Sequence, residues 1–343
     1  MKPVTIVGGG LAGLTLGGGL RQRQIPVTIV EAGYYPRHRV CGEFISGRGR
    51  AVLAELELED KLLKASAREA HSAAFFTPHS NGTAHSLPQP ALCLSRFVLD
   101  RLIAGHFLRL GGVLRERQRW QEGYGEGIVR GTGRRTRPVV RGWRWLGLKV
   151  HARRVSMTAD LELHLRVGGY VGLCRLSADE ANVCGLFRTR SPEPDLARNW
   201  RRWLIGPEGS ALHRRLGDAN FLEDSFCSVA GLMIGPQSAA DHSECCIGDA
   251  LTMIAPLTGN GMSMAFESAA IAIPPLEAYS RGSLAWEEAR RQIGEHCDSI
   301  FRRRLRWGRC LQAAALCNGW SDALVWFGNR CPGLWRCCFE RTR

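Results

Sequence analysis

The feature that most constrains this chain is a glycine turn between two short apolar segments near its first residue. An apolar run at positions 4–7 is followed by Gly8, Gly10 and Gly13 in the spacing G-x-G-x-x-G, then by a helical stretch and a second apolar run at 27–30. Glycines with this spacing permit a tight turn, close approach of a pyrophosphate to the backbone, and close packing of the helix on the sheet. The pattern predicts a βαβ unit that binds a dinucleotide.

Residues beside this turn are predicted to hold two parts of the nucleotide. Glu31, followed by Ala32, stands at the end of the second strand and can accept hydrogen bonds from an adenosine ribose. Leu11 and Ala12 open the helix, whose free N–H groups and positive dipole end would face the phosphates. Because the motif begins so near the first residue, we expect no signal or transit peptide.

A second glycine-rich segment, in the last third of the sequence, predicts a site for a flavin ring. Gly248 and Asp249 follow a short apolar run, and an Asp at a strand end can accept hydrogen bonds from ribityl hydroxyls. Glycines further on allow a flat ring to lie against the backbone, and a helix begins there whose N–H groups can face the flavin edge that becomes negative on reduction. The residues of this further segment are Pro256, Gly259, Asn260, Gly261 and Met262.

Together these motifs resemble those of the FAD-dependent flavoprotein superfamily that contains geranylgeranyl reductases, p-hydroxybenzoate-hydroxylase-type monooxygenases and, more distantly, flavin-dependent halogenases. Residues 39–44, which include Arg39 and Cys41, look like the C-G-E/G segment of reductase-like members. Arg96 begins a segment similar to the family's R-x-x-x-D/L helix start, where the Arg lies near the cofactor phosphates or ribityl chain. The resemblance runs in the expected order through residues 1–275, and it implies FAD as the cofactor.

The resemblance also implies an α/β, two-domain architecture. We expect a glutathione-reductase-type Rossmann FAD domain, an interleaved antiparallel-sheet substrate domain and a C-terminal helical region. Strand-like runs from 143 to 187, with a turn signal at Gly168-Gly169, predict the antiparallel sheet, and residues 192–224 and 285–315 are predicted to be helical. The predicted boundaries are 1–72, 95–136 and 240–285 for the FAD domain, 73–94 and 137–239 for the substrate domain, and 286–343 for the basic C-terminal helical region.

The reaction is left open between two hypotheses. In the leading one, reduced flavin transfers a hydride to a double bond of an apolar, isoprenoid- or polyketide-like substrate. It rests on residues 41–43 (Cys-Gly-Glu), and on residues 129–135, which lack the Asp of the monooxygenase G-A-D-G element. The alternative is an FAD-dependent monooxygenase, a hydroxylase or epoxidase that uses NAD(P)H and oxygen. The halogenase signature W-x-W-x-I-P is missing, since residues 143–148 share only its first letters.

The electron donor and the catalytic side chains are less constrained. No second G-x-G-x-x-G marks a nicotinamide domain, so NAD(P)H would bind transiently or a partner reductase would supply the electrons. Cys41 is the first catalytic candidate, because the resemblance implies that it lies by the flavin. His151 and His164 could protonate a carbanion or enolate, and Tyr170 could donate to a substrate carbonyl. For each residue the alternative is a buried side chain whose role is structural.

Cysteines and charge bear on location and partners. Thirteen cysteines without metal-binding spacing predict a reducing, cytoplasmic compartment and no metal site. The net charge of +14, from 46 basic residues of which only four are lysines, predicts attraction to an anionic lipid or an acidic carrier protein. A basic RNA-associated flavoprotein is the alternative of another class, but nucleic acid is disfavoured because the arginine clusters are scattered and no RNA-binding module is apparent.

The C-terminal region mixes arginines with Trp, Phe and Leu and has no run of about 20 apolar residues. Such a composition suits a helix that lies in a membrane interface, at the inner face of the membrane. It suits equally well a helical pair that caps the substrate domain, and both interpretations remain open.

Overall fold

The computed structural model describes residues 1–78, 82–134, 142–190, 196–235, 237–239, 242–317 and 319–343. It contains a parallel sheet, a larger and mostly antiparallel sheet, and a set of C-terminal helices. The predicted α/β architecture is confirmed.

The parallel sheet is built around the predicted βαβ unit. Strand β1 (Val4–Val7), helix α1 (Leu11–Gln22) and strand β2 (Val27–Val30) follow each other, and β1 pairs with β2 in parallel. The other strands are β6 (Val113–Arg115), β7 (Ile128–Arg130) and β13 (Cys245–Cys246), in the sheet order β13-β7-β1-β2-β6. The sheet thus joins strands from distant parts of the chain.

The second sheet forms the other main layer, in the order β12-β8-β11-β10-β9-β4-β5-β3. Its neighbouring strands are antiparallel except for β4 and β9, which run parallel. Its strands are β3 (Phe44–Ile45), β4 (Arg68–Phe76), β5 (Ala84–Cys93), β8 (Arg144–Arg153), β9 (Leu161–Arg166), β10 (Gly169–Arg175), β11 (Glu180–Thr189) and β12 (Asn220–Ala230). The predicted hairpin is present, with Gly168 in its turn at φ +73°.

One prediction of helix is partly wrong. Helices α5 (Leu196–Ile205) and α6 (Ala211–Leu216) lie within the stretch predicted to be helical, but residues 220–224 belong to strand β12. They form a strand because β8 offers them a sheet edge, with which they pair through Asn220, Phe221 and Leu222. Residues 192–195 of the same stretch lie outside the described residues.

Helices pack against the strands of the parallel sheet and against one another. Gly19 of α1 lies against Ile273, so helix α7 (Gly261–Ser280) approaches the α1 backbone closely. The long helix α8 (Trp286–Leu316) confirms the prediction for 285–315. The remaining named helices are α2 (Arg48–Glu55), α3 (Glu59–Lys64), α4 (Arg96–Arg109), α9 (Trp320–Arg330) and α10 (Pro332–Arg341). Within the described ranges, none is both long and apolar enough to cross a bilayer.

The predicted domain boundaries stay predictions. Strand β4 begins at Arg68, before the predicted boundary at residue 72, and its pairings are all within the second sheet.

Candidate active site

A cavity of about 720 Å³ is walled by the glycine turn, the second sheet and the C-terminal helices. Its volume lies in the range of small-molecule and cofactor pockets. Part of the wall is made of the residues predicted to bind a cofactor, and another part is made of apolar side chains. Of the predicted residues, the cavity is lined by Gly10, Leu11, Ala12, Arg39, Arg96, Gly248, Asp249, Pro256, Gly259, Gly261 and Met262.

The first glycine turn leaves an open cradle at the start of α1. Gly8 has φ +110°, and a Cβ there would collide with the Gly131 carbonyl. A Cβ at Gly13 would collide with the carbonyl oxygen of Gly8, so helix and turn are in close contact. A Cβ at Gly10 would meet nothing within 4 Å, and no side chain caps the helix there. The first-turn N–H groups of α1 therefore face space that phosphates can occupy.

Glu31 ties the end of β2 to this turn. Its carboxylate accepts hydrogen bonds from the backbone N–H of Gly9 (2.8 Å) and of Gly33 (2.7 Å), and it forms an ion pair with Arg37 at 2.6 Å. Burial alone would raise the pKa of Glu31, but the Gly33 hydrogen bond and the Arg37 charge lower it overall. The ionised carboxylate keeps lone pairs for ribose hydroxyls. Ala32 is exposed beside it.

Two arginines share one buried aspartate at the cavity wall. Arg96 forms a bidentate pair with Asp100, at 2.6 and 2.9 Å. Arg39 lies 3.3 Å from the same carboxylate and 3.8 Å from Glu31. Burial and the neighbouring Arg96 lower the pKa of Arg39. Both arginines line the cavity, where they offer charge-assisted hydrogen bonds to an anion.

The second glycine segment forms another cradle, at the start of α7. Short 3₁₀ turns at Gly248–Ala250 and Pro256–Thr258 lead to Gly259 (φ +64°), and a Cβ at Gly261 would meet nothing within 4 Å. Asn260 is fully buried outside the lining: its Nδ2 donates to the Thr342 carbonyl at 2.6 Å, and its Oδ1 has no hydrogen-bond partner. Arg134 lies 3.4 Å from Asp249.

These features fit FAD. A pyrophosphate and a flavin edge require N–H donors, open space and positive charge. The cavity provides two helix N-termini without side-chain caps, open space at Gly10 and Gly261, and a pair of arginines. FAD would supply two-electron redox chemistry, while the chain would orient it and exclude water.

The remaining wall is largely apolar. Phe75 and Trp335 pack with their ring centroids 4.8 Å apart, and the indole Nε1 of Trp335 is buried without a hydrogen-bond partner. Tyr170 is buried in this wall, and burial raises its pKa well above the ordinary value, so the hydroxyl keeps its proton. Leu186 and Val325 complete the contact between the second sheet and α9.

A fully buried carboxylate, Glu43, is part of the cavity wall and lies at the centre of a polar cluster. Its oxygens lie 2.7 Å from His151 Nε2 and 3.5 Å from Lys149 Nζ, and Glu43 accepts a hydrogen bond from the Arg96 N–H at 2.9 Å. Burial would raise the pKa of Glu43, but His151 and Lys149 lower it. Lys149 is also fully buried, so each of the two buried charges is stabilised by the other.

The cluster continues in two directions from this centre. His151 Nδ1 lies 2.8 Å from Glu180, whose side chain is 27% exposed. Lys149 Nζ lies 3.0 Å from His38 Nδ1, and His38 lines the cavity. Burial lowers the pKa of His151, but its hydrogen bonds with Glu180 and Glu43 raise it overall. Burial, with the charges of Lys149 and His151, lowers the pKa of His38 to about 4.

Some of the predicted catalytic residues line the cavity and others do not. Cys41 and Tyr170 line the cavity, whereas His151 stands behind Glu43 and is not among the lining residues. His164 bonds to Glu162 at 2.9 Å and stacks on Phe76. All four stay predictions as catalytic groups. Among the described residues no three His, Cys, Asp or Glu side chains are arranged to hold a metal ion.

The cluster around Glu43 was not predicted from the sequence. One signal was available: Lys149 and His151 stand two residues apart, on the same face of a strand, and this lysine is one of only four in the chain. A lysine on a strand with both faces buried needs a carboxylate partner. Nothing in the sequence pattern pointed to His38, which is 111 residues away.

Neither a protein-family model nor a curated protein matches this chain. Several solved structures do match this chain. Halogenase PltM is 16% identical, with a TM-score of 0.73 over 91% of this chain and 77% of that one. The flavin-dependent brominase Bmp2 is 17% identical, with a TM-score of 0.70 over 98% of both chains. PqsL of Pseudomonas aeruginosa, described as a probable FAD-dependent monooxygenase, is 17% identical, with a TM-score of 0.69 over 94% of this chain and 99% of that one.

The chain has the fold of these flavin-dependent enzymes. The resemblance predicted from the motifs is therefore confirmed at the level of the fold. At 16–17% identity the likeness extends to the fold alone, so cofactor and reaction are argued from the cavity.

Proposed function

We propose that this chain is an FAD-dependent monooxygenase that acts on an apolar small molecule. The observation that carries the proposal is the cavity itself, in which the two open helix N-termini and the Arg39–Arg96 pair adjoin an apolar wall. A cofactor at the cradles and a substrate at the apolar wall would share one cavity, so that the flavin and the substrate would lie side by side.

The comparisons support oxygenation over hydride transfer to a double bond, which was the leading hypothesis. PqsL is described as a probable monooxygenase, and PltM and Bmp2 as a halogenase and a brominase; a PltM variant was solved with FAD at a TM-score of 0.71 and 15% identity. None of these three proteins is described as a reductase of double bonds. Hydride transfer remains the second candidate, favoured by the placement of Cys41 in the cavity wall.

The deciding experiment is rapid mixing of the reduced, FAD-loaded protein with oxygenated buffer. We expect an absorbing species that is present in neither the reduced nor the oxidised spectrum, formed before reoxidation, with free FAD as the control. Anaerobic loss of a double bond from an isoprenoid alcohol, with stoichiometric flavin oxidation, would instead establish hydride transfer. Bromination of a phenol probe in the presence of bromide would establish halogenation.

The donor of electrons is proposed to be NAD(P)H or a partner reductase. The motivation is the absence of a second dinucleotide fingerprint in the sequence. Anaerobic mixing with NADPH or NADH would bleach the flavin directly in the first case. In the second, bleaching would require an added flavin reductase.

We also propose that helix α9 binds the protein to an anionic membrane surface. Trp320, Trp326 and Phe327 of α9 are 67%, 47% and 50% exposed, and Arg330 lies over the Trp326 ring at 4.2 Å. Leu324 and Val325 of the same helix line the cavity. Residues 300–343 carry nine arginines against two acidic side chains, which complements anionic lipid. An apolar substrate could then enter from the lipid.

Replacing Trp326 and Phe327 together by serine is expected to weaken binding to phosphatidylglycerol vesicles by about tenfold or more, because two aromatic side chains that would enter the membrane interface are lost. Vesicle sedimentation measures the effect. Leu108→Ser, at a side chain 50% exposed on α4, is the matched control and should bind as the unaltered protein does. Unchanged binding of the double variant would overturn the proposal, and salt-sensitive RNA binding in its place would point to a nucleic-acid partner.

A further inference from the structure

Of the described residues, four arginines line the cavity, and one of them differs from the other three. Arg39, Arg96 and Arg134 each lie within 3.4 Å of an aspartate carboxylate. The fourth, Arg343, has contacts with hydroxyl groups and an aromatic ring but forms no ion pair with a carboxylate side chain in the described part of the chain. A guanidinium in a largely apolar wall is stabilised when an anion offsets its charge.

The guanidinium of Arg343 is held in position by neutral groups. Its Nε donates to the hydroxyl of Ser46 at 2.9 Å, and its Nη1 donates to the hydroxyl of Thr342 at 3.0 Å. Its Cζ lies 3.6 Å from the centroid of the Phe339 ring. Gly47 leaves room for the side chain, because a Cβ there would lie 3.2 Å from Arg343 Cγ. The remaining nitrogen, Nη2, makes no hydrogen bond to the described residues and can bind a ligand.

The main chain beside Arg343 is tied to the start of α7. The buried Asn260, which precedes the first residue of α7, donates from Nδ2 to the Thr342 carbonyl at 2.6 Å. Ser46, the partner of Arg343, is bonded to Ser263 in the first turn of the same helix. An uncapped helix N-terminus and an arginine without a carboxylate partner therefore lie at one part of the cavity wall, and both favour an anion.

The charges around Arg343 leave its own charge uncompensated. Burial lowers the pKa of Arg343, and the positive charge of Arg304 on α8 lowers it further. Arg304 is itself paired with Glu267 on α7, at 2.7 and 2.8 Å. The guanidinium of Arg343 still carries its proton at neutral pH. An anion bound at Nη2 would offset the cost of this buried charge.

Aromatic rings follow one another along the cavity wall from Arg343. The Phe339 ring lies against the guanidinium, and the centroid of Trp335 is 5.4 Å from that of Phe339. The centroid of Phe75 is in turn 4.8 Å from that of Trp335. All four residues line the cavity. A ligand that used both features would have a flat apolar body with one acidic group at its end.

We propose that Arg343 binds the carboxylate of the substrate, and that the substrate is an aromatic carboxylic acid whose apolar body lies along Phe339, Trp335 and Phe75. A planar carboxylate matches the geometry of a guanidinium better than a spherical anion does. The identity of this acid as the compound that is oxygenated rests on the proposed function. The selection of an acid over a neutral molecule by Arg343 does not.

The test uses two probes with the same apolar body, naphthoate and naphthalenemethanol, which differ in charge. Titration calorimetry measures both dissociation constants, first in the FAD-loaded protein and then in the cofactor-free protein. We expect naphthoate to bind about tenfold more tightly or better, because a hydrogen bond to a charged group is stronger than one between neutral groups. Equal affinities, or no binding of naphthoate, would overturn the proposal.

The variants separate an acid-binding role from a structural one. Arg343→Gln is expected to weaken naphthoate on the order of tenfold and to leave naphthalenemethanol unchanged, while Arg343→Lys keeps part of the preference. Arg341→Gln is the matched control, since it changes the net charge equally but its guanidinium lies over Trp307 at 5.1 Å and not in the cavity wall. It should keep the full preference. An Arg343→Gln protein that lost affinity for both probes alike would contradict the acid site.

The remaining outcomes distinguish the acid site from the cofactor site. A preference that survives Arg343→Gln but is lost in Arg39→Gln, measured without FAD, would mean that the acid binds at the arginines predicted to hold the cofactor, and the proposal would fail. It would also fail if Arg343→Gln lowered the reduction potential of bound FAD and left naphthoate affinity unchanged. A protein that selects naphthoate through Arg343 but does not bind FAD would overturn the proposed function and support the acid site.

Discussion

Replacing Gly10 by valine is expected to abolish FAD binding and to leave the protein folded. The backbone at Gly10 has φ −79° and ψ −175°, which any residue adopts, and a Cβ there would meet no protein atom within 4 Å. The valine side chain would instead fill the space at the N-terminus of α1 that the pyrophosphate needs. Loss of two charge-assisted hydrogen bonds corresponds to a Kd raised by about 100-fold or more.

Fluorescence titration with FAD measures the affinity, and thermal unfolding without FAD measures the fold. Gly123→Val is the matched control, since a Cβ there also meets nothing within 4 Å and the residue is not in the cavity wall. Gly13→Val should fail differently, by unfolding, because its side chain would collide with the Gly8 carbonyl. Ordinary FAD affinity in the Gly10 variant would contradict the placement of the phosphates.

Glu43→Leu is expected to destabilise the protein by about 3–5 kcal/mol, because it leaves Lys149 buried without its carboxylate. His151 would lose the same partner, so its pKa would fall as well. Urea unfolding at neutral pH measures the change in the free energy of unfolding. The double variant Glu43→Leu/Lys149→Met should recover part of the loss, since both buried charges are then absent.

Glu288→Leu provides the comparison at the surface. Glu288 pairs with Arg291 on an exposed face of α8, and removal of such a pair is expected to change stability little. If the Glu43 and Glu288 variants were equally stable, Glu43 would not be the centre of a buried charge network.

The local part of this structure was predictable from the sequence. The βαβ unit follows from apolar runs and glycine spacing within about 30 residues, and Gly8, Gly10 and Gly13 each have the steric environment that the motif requires. The hairpin at Gly168 likewise depends on neighbouring residues alone. Helix α8 shows a clear apolar period and was predicted to within a residue or so.

What could not be predicted depends on contacts between distant parts of the chain. The sequence predicts helix where strand β12 begins, because its pairing partner, β8, lies some 70 residues earlier and contributes no local signal. It also suggests His151 as an acid on its own, whereas the chemistry of His151 is set by Glu43, 108 residues away. Asn260 is predicted to bind the cofactor, but its side-chain amide is bonded to the backbone at Thr342.

The close contact between α1 and α7 has a consequence for protein engineering. The βαβ unit cannot be exchanged on its own, because Gly19 leaves no room for a Cβ beside Ile273 and β13 completes the parallel sheet from residue 245 onward. A chimera that borrowed only the first 136 residues from a relative would bring a foreign α1 against this α7. Recombination between such enzymes should therefore succeed when the segments carrying α1, β13 and α7 are exchanged together.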